Sequence, residues 1–250
     1  MHTSRSRHQA SRIALICGLV VLSALDLRPN WAVGVFAAYM PQSENAQTNN
    51  MLLSELRRVT QQVAEDFRRE TAVAVGPDSS RSVVLIESGT LATIASSAQT
   101  TLMDRLTRPQ FAAMKDYVAL RFPTQVTPDT VDPVLGHPVV SRVKANAYVS
   151  EVKGFINRVS ASPLAIDLTI RTNPPGAAIN FKTTAVQGPT AYSDTTIMNV
   201  YRGLYSYTVT KTSFKPVSGS INLVDDDSSR FECTLVAESE TRSESSCRRR

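Results

Sequence analysis

Beyond residue 37, a Ser-His-Asp triad in this chain would have to use His137, because the other two histidines are His2 and His8. His137 sits between Gly136 and Pro138 in a proline-rich stretch, and no serine is marked as its nucleophilic partner. A Ser-His-Asp relay needs a nucleophile and an orienting carboxylate within hydrogen-bond reach of one imidazole, so His137 reads as an ordinary loop histidine. Glu87, Asp132 and Glu151 are the carboxylates that could support acid-based hydrolysis. Such chemistry requires two of them to face each other across a cleft, and nothing in their spacing arranges that. The chain has no Gly-x-Ser-x-Gly elbow, no His-Glu-x-x-His helix, no glycine-rich phosphate loop and no Cys-x-x-Cys. A zinc site would lack ligands. Asp225-Asp226-Asp227 lacks the alternating oxygens and glycine bend of a calcium loop and reads as a polar turn. No cofactor and no metal is expected.

Aromatic side chains are the remaining candidates for binding. An exposed tyrosine gives a sugar a flat apolar platform with a polar handle. Tyr192 and Tyr201 flank turns and are the candidates for ligand contact. Tyr205 and Tyr207 share the apolar side of an alternating run and read as core.

The elements that must position these residues differ between the two parts of the chain. From residue 163 onward the pattern has period 2, which places one set of side chains inward and the other in water. Ile166, Leu168 and Ile170 alternate with Asp167, Thr169 and Arg171, and Ile179 and Phe181 alternate with Asn180 and Lys182. Pro174-Pro175-Gly176-Ala177 separates these two runs and reads as a hairpin, since proline cannot continue a ladder. Further runs follow at Tyr205–Val209, at Ile221 and Leu223, and at Phe231, Cys233 and Leu235. Turn chemistry divides them at Gly188-Pro189-Thr190, Arg202-Gly203, Lys215-Pro216 and residues 225–229. Several short strands at this spacing predict a β-sandwich.

In this order, the residues resemble the PEGA domain family. Its Pro-Glu-Gly-Ala segment appears as Pro174-Pro175-Gly176-Ala177, with proline at the glutamate position. Its small-residue turn before Thr-Pro appears at Gly188, with the pair reversed as Pro189-Thr190. Its Gly-x-Tyr strand entry is intact at Gly203-Leu204-Tyr205, and its later lysine and aromatic resemble Lys211 through Phe214. The likeness covers roughly residues 163–237. It implies a small sandwich of the kind found on bacterial envelope and secreted proteins. The implied role is surface attachment or polysaccharide contact, with no catalytic residue to carry over.

The N-terminal residues read as an export signal. Arg5, Arg7 and Arg12 precede an apolar run at 13–25, which is too short to span a bilayer core of about 30 Å. Val35 and Ala37 mark cleavage before Ala38; cleavage after Ala24 and an uncleaved anchor are the alternatives. Residues 1–37 hold four arginines and one aspartate, so their removal lowers the formal charge from +5 to +2. What remains has no basic stripe interleaved with aromatics, so nucleic acid is not an expected partner. Membrane contact is expected only through the signal segment, if it stays attached. Of the three cysteines, Cys17 lies in the signal, and lipidation there is disfavoured because a small residue is missing before it. Cys233 faces inward between Phe231 and Leu235 and reads as a buried free thiol. A bridge to Cys247 would require the polar tail to fold back.

Residues 45–162 have helical period. Met51, Leu52, Leu56, Val59, Val63 and Phe67 recur at spacings of three and four, with Glu55, Arg57, Arg58, Glu65, Arg68 and Arg69 on the other side as a solvated face. Residues 83–86 read as one buried strand, and Leu91 through Leu106 as a second helix. Pro109 suits the first turn of a third helix at 110–122, residues 123–138 form an irregular connector, and Val143, Ala147, Val152, Phe155, Ile156 and Val159 mark a last helix. The tail from 238 is rich in serine, glutamate and arginine and reads as disordered.

The expected fold class is α+β: a mainly helical domain at 45–162 followed by a small all-β, PEGA-like sandwich at 163–237. The expected function is that of a non-catalytic envelope protein, exported to the periplasm or cell surface. Its sandwich would contact an envelope protein or polysaccharide. The alternative is an accessory subunit docking through the helix at 49–71.

Overall fold

The apolar stripe of the first helix explains why it forms. In the computed structural model, which describes residues 42–76, 85–134, 136–225 and 229–249, α1 runs Gln42–Val75. Leu52, Leu56, Val59, Val63 and Phe67 are all buried along one side. At about 1.5–3 kcal/mol for each buried side chain of this size, that stripe outweighs the few tenths of a kcal/mol that a surface pair such as Gln61–Glu65 adds. The same stripe is spent inside the chain, against α2 (Ser88–Arg105) and α4 (Arg142–Val159). Pro109 opens a short 3-10 turn, Pro109–Phe111, that runs into α3, Ala112–Arg121.

α4 begins at Ser141, whose side chain accepts a hydrogen bond from the Lys144 amide at 3.4 Å. Its buried stripe is Ala145, Tyr148, Val152, Phe155, Ile156 and Val159, while the expected members Val143 and Ala147 face solvent. The stripe that fits steps of three and four from Val152 runs through Tyr148 and Ala145, which leaves Val143 and Ala147 outside it.

Residues 123–138, expected as irregular, contain β2 (Thr130–Val131) and the start of β3 (Pro138–Ser141). Together with β1 (Leu85–Glu87) they form an antiparallel sheet in the order β1-β3-β2. Pro138 is the first residue of its strand, a position where a missing N–H is tolerated. Of the expected strand at 83–86, residues 83 and 84 lie outside the described residues, as do residues 1–37 with their export signal.

Two four-stranded sheets make the C-terminal part, packed together as a sandwich. One has the order β11-β10-β4-β7, from Ser246–Arg249, Arg230–Thr234, Ala165–Asn173 and Thr195–Tyr201. The other has the order β6-β5-β8-β9, from Gln187–Tyr192, Ala178–Lys182, Leu204–Thr210 and Val217–Asn222. Among these strands only β10 and β4 pair in parallel. The inward set is the one the alternation predicts: Leu168, Ile170, Ile179, Phe181, Tyr207, Val209, Ile221 and Phe231. Tyr207 and Phe181 both meet Phe231 edge-on, with ring centroids 4.9 and 5.7 Å apart.

Four expectations for this part change. Pro174-Pro175-Gly176-Ala177 does not close a hairpin, because β4 and β5 lie in different sheets; it is the corner where the chain crosses between them. Lys211 Nζ donates to Pro175 O at 2.8 Å, Thr172 Oγ1 donates to Pro174 O at 2.7 Å, and Gly176 takes φ +81°. Gly188-Pro189-Thr190 is not a turn but part of β6, an edge strand, where a proline withholds no needed donor. The tail is ordered through β11, which pairs with β10. That pairing puts Cys233 opposite Cys247, and the two form a disulfide rather than leaving a free thiol. Alternation along β10 marked Cys233 as inward, but the register that brings Cys247 to it is a tertiary fact.

The helical and β parts are joined along α3. Ala113 belongs to the sandwich core, whereas Leu204 and Val224 belong to the helical core. The described residues accordingly form one compact unit.

Candidate functional site

His137 leaves the β2–β3 turn, where Asp132 N donates to His137 O and Gly136 N donates to Asp132 O, both at 2.8 Å. Because β1 lies beside β3, with Glu87 opposite Val139, the Glu87 carboxylate reaches the imidazole: His137 Nδ1 and Glu87 Oε1 are 2.9 Å apart. The other carboxylate oxygen accepts from Thr90 Oγ1 at 2.8 Å. The Thr90 hydroxyl, and next to it the His137 ring, hold Glu87 below the usual carboxylate value. The fold thus joins Glu87 to His137, with Asp132 at the far end of the same turn. Asp132 Oδ1 accepts from the Val134 amide at 2.8 Å. Glu151 stands apart, exposed on α4. The Thr90 hydroxyl is turned toward Glu87, and the cluster is a carboxylate-oriented histidine on an exposed rim. Among the described residues, no group of three or more His, Cys, Asp or Glu side chains could hold a metal ion.

Several polar side chains pair where α3 meets the sandwich. Asp116 accepts from the Thr184 amide at 2.7 Å and from the Thr184 hydroxyl. Tyr117 OH donates to Asp225 Oδ1 at 2.6 Å, and Arg158 Nε lies 3.5 Å from the same oxygen. The Tyr117 ring stacks on Phe155 at 4.9 Å, and burial, helped by Asp225, pushes the phenol up to about 12. Arg202 is buried as well, donating to the carbonyls of Leu223 at 3.0 Å and Val224. Gly203 is required here, since a Cβ would lie 2.2 Å from the carbonyl carbon of Ala113. These groups satisfy one another, so their chemistry is adhesive. Asp225 lies in the expected acidic turn; Asp226 and Asp227 lie outside the described residues.

The two candidate tyrosines part company. Tyr192 ends edge strand β6 and is 61% exposed. Tyr201 ends β7 half-buried against the helical core, its carbonyl accepting from Tyr205 OH at 2.9 Å, and burial raises its phenol above the usual value. Two other large apolar side chains of this part are exposed, Val186 in the turn before β6 and Met198 on β7. Since β6 and β7 are the edges of their respective sheets and follow one another in the chain, all three side chains belong to one edge of the sandwich.

Neither protein-family models nor curated protein sequences give a match to this chain. Its function therefore has to be argued from its own geometry. The C-terminal part is a β-rich region closed by a disulfide, and that bond is compatible with an oxidising, extracytoplasmic compartment. Among the described residues, no helix is long and apolar enough to cross a membrane.

The polar side of α1 holds a second candidate that periodicity assigned to solvent. Arg57 and Arg68 line a groove between α1 and α4, with Lys153 on the opposite wall. The available signal was a shared spacing: Arg57 to Arg68 and Arg142 to Lys153 are both eleven residues, about three helical turns. Only the packing of α1 against α4 turns two such spacings into one surface.

Proposed function

We propose that this chain is a non-catalytic, exported protein of the bacterial cell envelope. Its PEGA-like sandwich serves as an adhesion module contacting envelope polysaccharide, at the periplasmic or outer cell surface. The observation that supports the reading is the placement of Tyr192, Val186 and Met198 along one edge of the sandwich. They are the sandwich's exposed large apolar side chains among the described residues. The exposed phenol of Tyr192 offers a flat face to the apolar side of a pyranose ring, with its hydroxyl left for a hydrogen bond. The contacts through α3 hold that edge on a rigid base, which limits the ordering cost of binding.

The test is co-sedimentation of the whole chain with isolated envelope polysaccharide, peptidoglycan included. The whole chain is needed because the sandwich shares its core boundary with α3. Binding that free glycan competes away, and that Tyr192→Ala abolishes without changing the melting curve, is the expected result. Binding untouched by Tyr192→Ala, or none at all, removes this edge as the contact surface.

A further inference from the structure

α1 and α4 run antiparallel with a groove between them. Residues 57–68 of α1 face residues 153–160 of α4, and residues 68–76 face 142–153. The two stretches, of about 480 and 540 Å³, meet at Arg68 and Lys153, which line both. From Arg57 to Val75 the groove follows α1 for about 27 Å at the helical rise of 1.5 Å per residue. Four cations stand along it: Arg57 and Arg68 from α1, Arg142 and Lys153 from α4.

Elsewhere on the helical layer Arg69 pairs with Asp66 and Arg108 with Glu55, both at 2.6 Å. Arg57, Arg68 and Lys153 make no ion pair among the described residues. Arg142 donates to Val75 O at 3.2 Å and so closes the groove at the end of α1. The one carboxylate lining the groove, Glu65, accepts from Gln61 Nε2 at 3.1 Å. Asn157 and Asn146 add amide groups from α4, one on each side of Lys153.

We propose that this groove binds a linear anionic polysaccharide. The eleven-residue spacing sets successive cations on one wall about 16 Å apart, a distance that a monomeric anion does not bridge and a polymer does. Arginine pairs with carboxylate and with other oxyanions in fork geometry, and the amides match sugar hydroxyls. A docked acidic helix is the less suitable occupant. The apolar lining is Ala64, Ala72, Val75 and Val149, with no leucine, isoleucine, methionine or aromatic to receive its anchors. The site lies on the helical layer and stands independently of the Tyr192 edge.

The experiment is calorimetric titration of the whole chain at low ionic strength with size-defined polygalacturonate oligomers. Dextran, galacturonate monomer, a DNA duplex and poly-glutamate serve as comparison probes. Polygalacturonate is expected to bind, more weakly as salt rises, with dextran and the monomer giving no measurable heat. Arg68→Glu with Lys153→Glu should weaken binding by roughly tenfold or more, and Arg68→Gln with Lys153→Gln by less. Arg58→Glu, half that charge change and on α1 outside the groove, should stay within about twofold of the parent. Tyr192→Ala should leave this binding unchanged, so a failure at either site is read separately. Three results overturn the proposal: no binding of polygalacturonate, equal loss with Arg58→Glu, or tighter binding of DNA or poly-glutamate at matched charge.

Discussion

α3 and the α1–α4 pair belong to the same helical layer, yet they meet their surroundings in opposite ways. On α3, Asp116 and Tyr117 are buried and each has a partner in the sandwich, Thr184 and Asp225. Across α1 and α4, Arg57, Arg68 and Lys153 face an open groove. Polar groups taken out of water must be paired within the chain, because an orphaned one costs about 1–3 kcal/mol. Polar groups left at a groove carry no such obligation and remain available to a ligand. The contrast separates residues that hold this molecule together from residues that can serve a partner.

The largest expected effect comes from breaking the α3 junction at its closest approach. Gly203→Ala should cost about 3 kcal/mol, the upper range for overpacking, because backbone rather than a movable side chain opposes the new Cβ. Urea unfolding followed by near-ultraviolet and far-ultraviolet circular dichroism should show both signals losing stability together. A sandwich that melts early while the helices persist would refute a shared junction.

Next in size is the disulfide, which lies at the far edge of its sheet. Replacing both Cys233 and Cys247 by alanine should cost about 3 kcal/mol or slightly less, the loop-closure value for a separation of this length. Their sequence separation is 14 residues. Amide exchange should rise first in β11, since β10 is its only strand partner among the described residues. Loss of protection across α3 at the same rate would show that the two ends of the molecule are not independent.

Asp116→Ala should cost about 2 kcal/mol by leaving the Thr184 amide without its acceptor, read from the shift in urea midpoint. Tyr117→Phe should cost about 1 kcal/mol, since Asp225 keeps its bond from Asn222 Nδ2 at 2.7 Å. This substitution also has a pH signature. Below pH 10 the phenol is protonated whether the chain is folded or not, so its stabilisation is complete there. Above pH 10 the unfolded chain releases the proton while the folded one keeps it up to about 12, so stability falls through that window. Tyr117→Phe should make the alkaline decline shallower, with Tyr148, also raised to about 12 by burial, supplying part of what remains.

The smallest effect is expected on the open face, where Arg57→Gln should move stability by no more than about 0.5 kcal/mol. A large loss there would mean that the groove cations pair inside the chain, and the comparison between the two faces would collapse.

Much of this fold was legible in residue spacing, and the exceptions have physical causes. The stripe from Leu52 to Phe67 and the alternation from Ile166 to Ile170 are local signals, and both appear as expected. β6 escaped notice because Gly188 and Pro189 are turn residues almost everywhere except on a sheet edge. β11 escaped because its arginines and serines carry no apolar alternation, and it is held by pairing with β10 and by Cys233. Tyr201 looked as exposed as Tyr192 because both flank turns, but the helical core closes over one and not the other. The groove cations looked like a solvated face because the wall opposite α1 lies about ninety residues away in the chain.

What the chain determined by itself was therefore the class of its periodic segments: the four helices, the strands with apolar alternation, and the inward set of the sandwich. Period follows from backbone geometry, and side-chain burial follows from period. Only the tertiary structure decided that Pro174–Ala177 joins two sheets, that Cys233 meets Cys247, and that α3 rather than α1 holds the sandwich. It alone placed Arg68 opposite Lys153. Each of these is a meeting of residues distant in sequence, selected by which surfaces pack, and no local spacing encodes it.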